Sequence, residues 1–128
     1  MRVLVVGGAG YIGAHVCEEL VSAGYDVRIY DDFSNGLHSR ITKFPDVVTA
    51  DVLDRESLVK AMADVDSVIH LAAKKAVGES VDNPLKYYEN NFGGTLNILA
   101  AMKIAGVNKI VFSSTAAVYS PSEKPAIT

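Results

Sequence analysis

Gly7, Gly10 and Gly13 recur as G-x-x-G-x-x-G in "GGAGYIG", directly after the apolar run "VLVV" and directly before a helix-like run. Residues without a Cβ permit a tight strand-to-helix turn and let backbone approach a ligand closely. The start of a helix adds unpaired N–H groups and the positive end of the macrodipole, which suit a pyrophosphate. Asp31 ends the next strand-like run, about 20 residues on, where a carboxylate accepts hydrogen bonds from an adenosine ribose and disfavours a 2′-phosphate. Alone, the glycines are consistent with a structural turn, and Asp31 with Asp32 could merely start a loop. Strand, glycines, helix and acid in register read as a dinucleotide site that takes NAD in preference to NADP.

Other chemistries lack their residues. The single cysteine, Cys17, forms no internal disulfide and fits a reduced, cytoplasmic setting. His15 and His38 have no neighbouring ligands and suggest no metal, and His70 reads as structural. The net charge of −3 argues against nucleic acid and anionic membranes, which call for clustered Lys and Arg. No apolar run approaches the ~20 residues that span a bilayer, and the N-terminal run meets glycine too soon for a signal segment.

The elements that must position the site alternate along the 128 residues. Strands are expected at Arg2–Val6, Asp26–Tyr30, Asp46–Ala50, Ser67–Ala73 and Lys109–Ser114. A helix is expected from Tyr11 to about Ala23, with Ile12, Val16 and Leu20 as its buried stripe. A second, capped by Asp54, runs to about Ala63 with Leu58, Val59 and Met62 facing in. The longest opens at Pro84 and ends at Gly106, with Leu85, Tyr88, Phe92, Leu96, Leu99 and Met102 at helical spacing. Repeated strand and helix imply an α/β fold, a doubly wound parallel sheet of the Rossmann type with about five strands.

At "GGAGYIG", "DDFSNG", "HLAAKKAVGES", "NNFGGTLNIL" and "FSSTAAVY" the chain resembles the extended short-chain dehydrogenase/reductases and, among them, the UDP-glucose 4-epimerases. The resemblance runs along the whole chain in order. It implies NAD as cofactor and a nucleotide sugar as substrate. Tyr11 and Ile12 are then expected at the pyrophosphate beside Gly7, Gly10 and Gly13. Asp31, Asp32, Phe33, Ser34, Asn35 and Gly36 are expected around the adenosine ribose, and Asp51 and Val52 at the adenine. Leu71, Ala72, Ala73, Lys75 and Asn90 are expected along the middle of the cofactor. Thr115 takes the position of the hydroxyl residue beside the reacting sugar carbon, a catalytic role. Plainer readings stand beside these: Asp51 ending a strand, Ala72 and Ala73 as close packing, Lys75 as a solvated lysine, Asn90 satisfying a helix face. Asp32 stands where the family usually has asparagine, and Ser120 where it usually has glycine.

The resemblance also implies a reaction. Hydride leaves C4 of the sugar as a base takes the hydroxyl proton, the 4-keto sugar turns over, and hydride returns to the other face. The base is the tyrosine of a Tyr-x-x-x-Lys pair, its phenol pKa lowered by the cation. None of the six tyrosines has a lysine four residues on. Tyr119 has Lys124 five on, with Pro121 between them. The expectation is therefore an incomplete NAD-binding domain over residues 1–128, with the base and the C-terminal sugar-nucleotide domain beyond Thr128. Such a chain binds NAD without turnover. An isolated binding module, an inert remnant and another nucleotide-sugar epimerase or dehydratase remain alternatives. Ala116 and Ala117 after Thr115 lean away from a dehydratase, which needs added acid and base residues there. The last strand as an open apolar edge and the long helix as a dimer contact lead to an expectation of self-association, with a homodimer as the partner.

Overall fold

The computed structural model describes residues 1–74 and 81–114. Five parallel strands form one sheet in the order β3-β2-β1-β4-β5: β1 Arg2–Val6, β2 Asp26–Asp31, β3 Val47–Thr49, β4 Ser67–His70 and β5 Ile110–Phe112. β1 lies between β2 and β4, with Val5 opposite both Ile29 and Ile69. The β-branched run "RVLVV" suits this central place, because a parallel strand covered on both sides has no face for polar residues. Its side chains alternate. Leu4 and Val6 enter one core with Tyr30, Leu58, Met62, Val68, Ile98 and Met102. Val3 and Val5 enter the other with Ala14, Cys17, Val27, Ile29, Ile41 and Phe44. Helix α1, Tyr11–Ser22, covers the second face. Helices α2, Arg55–Ala61, and α4, Gly94–Ala105, cover the first. The doubly wound parallel sheet expected from the sequence is the fold observed.

The chain winds outward from β1 through β2 to β3, then returns to start β4 on the other side of β1. That reversal opens a crevice above the carboxyl ends of β1 and β4, the usual ligand position in open α/β sheets. The opposite end of the sheet is closed by charge. Arg28 reaches Asp46 at 2.9 Å and Asp64 at 3.1 Å, and donates to the carbonyls of Ala61 and Ala63. Arg2 pairs with Asp26 and Asp64.

Element ends and faces depart from the sequence reading in specific places. β3 and β4 are shorter, and β5 keeps only three residues. On α1 the buried residues are Gly13, Ala14 and Cys17. Small side chains let this helix lie close to the sheet, while Ile12 and Val16 turn sideways into a shallow apolar groove. Leu20, at the edge of that groove, is partly buried and packs against the same core. The long helix is not uniform. It starts as α3, Pro84–Tyr87, with Asn83 accepting from the Lys86 N–H, widens into a π turn over Tyr88–Gly93, and continues as α4. Gly106, at φ +75°, ends it in the left-handed conformation that glycine adopts without strain. Its buried face is Gly94, Ile98, Ala101 and Met102, whereas Leu85, Tyr88, Phe92, Leu96 and Leu99 are exposed. β5 is an edge strand, and its three residues are exposed.

Candidate functional site

The crevice at the β1/β4 reversal is a cleft of about 810 Å³. It is built from the two loops that leave the neighbouring strands. After β1 the chain turns at Gly7, whose φ of +87° suits glycine, and a Cβ there would lie 2.6 Å from the backbone nitrogen of Ala72. A Cβ on Gly13 would lie 2.1 Å from the Gly7 carbonyl oxygen. The outer glycines therefore close the β1 loop against the β4 loop and against the first turn of α1. Gly10 is the N-cap of α1, extended, with no side-chain cap, and no acidic residue stands in the first turn. The helix start thus faces the cleft without a side-chain cap of its own, an arrangement that receives an anion.

Beside the glycine turn, at the end of β2, the Asp31 carboxylate is buried and held by two backbone donors. The Ala9 N–H gives to Oδ2 at 2.9 Å and the Phe33 N–H gives to Oδ1 at 2.8 Å. Phe33, at φ +58°, is strained into the left-handed region by this grip, and its ring stacks on His38 at 3.7 Å. A carboxylate oxygen accepts more than one hydrogen bond, so both of these retain capacity for a ligand hydroxyl. Arg40, over the Tyr11 ring at 6.0 Å, brings a cation to the same cleft.

Of the residues named from the sequence, Gly7, Gly10, Tyr11, Ile12, Gly13, Asp31, Asp32, Ser34, Asn35, Gly36, Val52, Leu71, Ala72, Ala73 and Asn90 line this one cleft. Phe33 and Asp51 do not. The Asp51 carboxylate accepts from the Leu53 N–H at 2.9 Å and its carbonyl accepts from the Tyr30 hydroxyl at 2.7 Å, so it organises the turn after β3. Lys75 and Thr115 lie outside the described residues.

The cleft also contains Ser113 and Ser114, whose place at the carboxyl end of the last strand favours a site, and residues the sequence did not single out for cofactor contact: Tyr30, Arg40, Ala50, His70, Lys74, Asn91, Thr95 and Phe112. Asn91 is the clearest omission. Its side chain accepts from the Lys74 N–H at 2.8 Å and donates to the Lys74 carbonyl at 2.9 Å. In an α-helix successive residues diverge by about 100°, so one of two adjacent asparagines should turn away. Asn90 and Asn91 both lie in the π turn and both line the cleft. Burial first, then the nearby Asp54 and Asp51 carboxylates, push the Tyr30 phenol far above its ordinary value, and its hydroxyl donates to the Asp51 carbonyl at 2.7 Å.

Residues 3–128 match the model of the family described as NAD dependent epimerase/dehydratase. The chain belongs to that family. Within the epimerase/dehydratases, it is 45% identical over its whole length to the UDP-glucose 4-epimerase of Bacillus subtilis, covering 40% of that protein. The crystal structure of UDP-glucose 4-epimerase from Stenotrophomonas maltophila, with bound NAD and formylated UDP-arabinopyranose, superposes with a TM-score of 0.91 at 41% identity. It covers 99% of this chain and 40% of that one. The Brucella ovis enzyme in complex with NAD gives 0.89 at 42% identity, covering 98% of this chain and 39% of its own. This chain thus spans about 40% of the length of each of these three relatives. Among the described residues, no helix is long and apolar enough to cross a membrane.

Proposed function

We propose that this chain is the NAD-binding portion of a UDP-glucose 4-epimerase, interconverting UDP-glucose and UDP-galactose through a 4-keto sugar in the whole enzyme. The observation that carries the reading is the pairing, side by side in one cleft, of an uncapped helix start at Gly10–Gly13 with a carboxylate at Asp31 fixed by two backbone donors. Those are the groups a dinucleotide needs for its pyrophosphate and its adenosine ribose. The first turn of α1 holds the diphosphate, with Arg40 as counter-charge. Asp31 and the Ser34–Gly36 loop take the ribose hydroxyls, and Val52 lies toward the adenine. Leu71, Ala72, Ala73 and Asn90 line the middle of the cofactor, leading to the half where NAD supplies reversible acceptance of the sugar's C4 hydride. Lys75 and Thr115 are assigned to the cofactor and to the sugar carbon by the family pattern. Among the described tyrosines none has a lysine four residues on, so the reading is cofactor binding without turnover by these residues alone.

Two further assignments accompany this. The exposed row Leu85, Tyr88, Phe92, Leu96 and Leu99 is the contact for a second copy of the chain. A reduced, cytoplasmic setting suits Cys17, whose burial pushes its thiol up to about 12 and leaves it inert. The test is nuclear magnetic resonance of UDP-galactose incubated with the chain and NAD. The sugar should remain unchanged while NAD signals broaden on binding. Appearance of UDP-glucose would overturn the assignment of the base beyond these residues, and unperturbed NAD signals would overturn the cofactor reading.

A further inference from the structure

His70 ends β4 almost fully buried and faces the cleft. Its Nε2 lies 2.9 Å from Thr95 Oγ1, and the Thr95 hydroxyl donates its one proton to the Asn91 carbonyl at 2.7 Å. The imidazole must therefore donate to Thr95, which fixes the neutral tautomer with the proton on Nε2. Nδ1 is then an acceptor, and it is buried without a partner. An orphaned buried acceptor is costly and calls for a reason. Burial also lowers the imidazole's pKa, in keeping with a neutral ring.

The contacts continue in a circuit. Asn91, its carbonyl held by Thr95, clasps both backbone groups of Lys74, and Asn90 donates to Asn91 Oδ1 at 3.1 Å. The circuit leaves the β4 loop at His70 and returns to it at Lys74. Between them lie Leu71, Ala72 and Ala73, which form one wall of the cleft. On their other side the Leu71 N–H donates to the Val6 carbonyl at 2.8 Å, and Gly7 lies against the Ala72 backbone. The wall is thus pinned at both ends, and the residue that pins its far end, Asn91, lies in the π turn. π turns are rare and concentrate at functional sites.

We propose that His70 and Asn91 are positioning residues: through Thr95 and the π turn they hold Leu71–Ala73 as the fixed wall for the nicotinamide half of the dinucleotide. This rests on the dinucleotide reading above. Asp31 marks the adenosine end at β2, so the β4–β5 side of the cleft receives the other half. A positioning role differs from general stabilisation in which half of the ligand it affects.

The test compares dissociation constants of NAD and of ADP, which lacks the nicotinamide half, on the 128-residue chain and its variants. His70→Leu and Asn91→Ala should each weaken NAD about tenfold, the affinity equivalent of one hydrogen-bonding group left unpaired, and ADP less than about twofold. The double variant should lose little more than either single one, because both break one circuit. His70→Gln, whose amide can donate to Thr95, should restore most of the NAD affinity. If His70→Leu fails to fold, the half-buried Asn91→Asp carries the same comparison, keeping an acceptor for the Lys74 N–H and losing the donor to its carbonyl. Equal losses for ADP and NAD, or no loss, would overturn the positioning role while leaving the dinucleotide site intact. A wild-type chain that binds neither ligand would overturn both.

Discussion

Removing the Asp31 carboxylate takes away two acceptors at once. Asp31→Ala leaves the Ala9 N–H, buried, and the Phe33 N–H, partly buried, without partners. A hydrogen bond to a charged acceptor contributes about 1.5–3 kcal/mol, so the loss is about 3–6 kcal/mol. That is a large share of the ~5–15 kcal/mol by which a domain is stable. The loop after β2 should also loosen, because Phe33 holds φ +58° only while its N–H is gripped. Asp31→Asn keeps one acceptor and turns an NH2 toward the other donor, so its cost should be smaller, about 2 kcal/mol. Urea unfolding followed by far-ultraviolet circular dichroism measures both, and a titration with NAD measures the loss of ribose contacts. The expected order of stability is wild type, then Asn, then Ala, with NAD affinity down at least about tenfold in Asp31→Ala. An Asp31→Ala midpoint equal to wild type at unchanged slope would refute the claim that this carboxylate organises the turn.

The glycines should separate by what surrounds them. Gly13→Ala, with its Cβ 2.1 Å from a backbone carbonyl, should cost about 3 kcal/mol or more, whereas Gly10→Ala, at 3.3 Å, should cost less than about 1 kcal/mol, both read by urea unfolding. Asp54 caps α2, and the hydroxyl and N–H of Ser57 hold its carboxyl below the ordinary value. Its folded pKa is depressed, so its stabilisation is full above about pH 4 and is lost as pH falls through the lowered value. The melting-temperature gap between wild type and Asp54→Ala should shrink on acidification, and a gap that is independent of pH would contradict this. Phe92→Glu places a charge in the exposed apolar row of the long helix. Light scattering should show concentration-dependent mass for wild type and a monomer for the variant.

What the sequence conveyed, and what it did not, follows from the range of the interactions. "RVLVV" could only be a doubly covered strand, and Asp54 three residues before Ser57 is a local cap, so both were legible. Helical spacing alone could not say which side of a helix meets the sheet. On α1 the small residues Gly13, Ala14 and Cys17 win the sheet over the bulkier Ile12 and Val16, because close approach buries more than a large side chain at a distance, and of the expected stripe Leu20 packs against the core. The long helix carries a π turn, which no periodic count detects; Asn91 lies in it, Thr95 just after it, and both line the cleft. Asp51 stands at the carboxyl edge of the sheet, as read from the sequence, and one of its carboxylate oxygens accepts from the Leu53 N–H. His70 was legible only as a strand-end residue, since its partner Thr95 comes from 25 positions away.

Calorimetric titration of the chain with NAD tests the central claim most directly. The account predicts saturable one-to-one binding that Asp31→Ala weakens and Gly13→Ala abolishes. No heat and no shift in melting temperature at millimolar NAD would contradict it, because the uncapped start of α1 and the fixed carboxylate of Asp31 would then not form a working site.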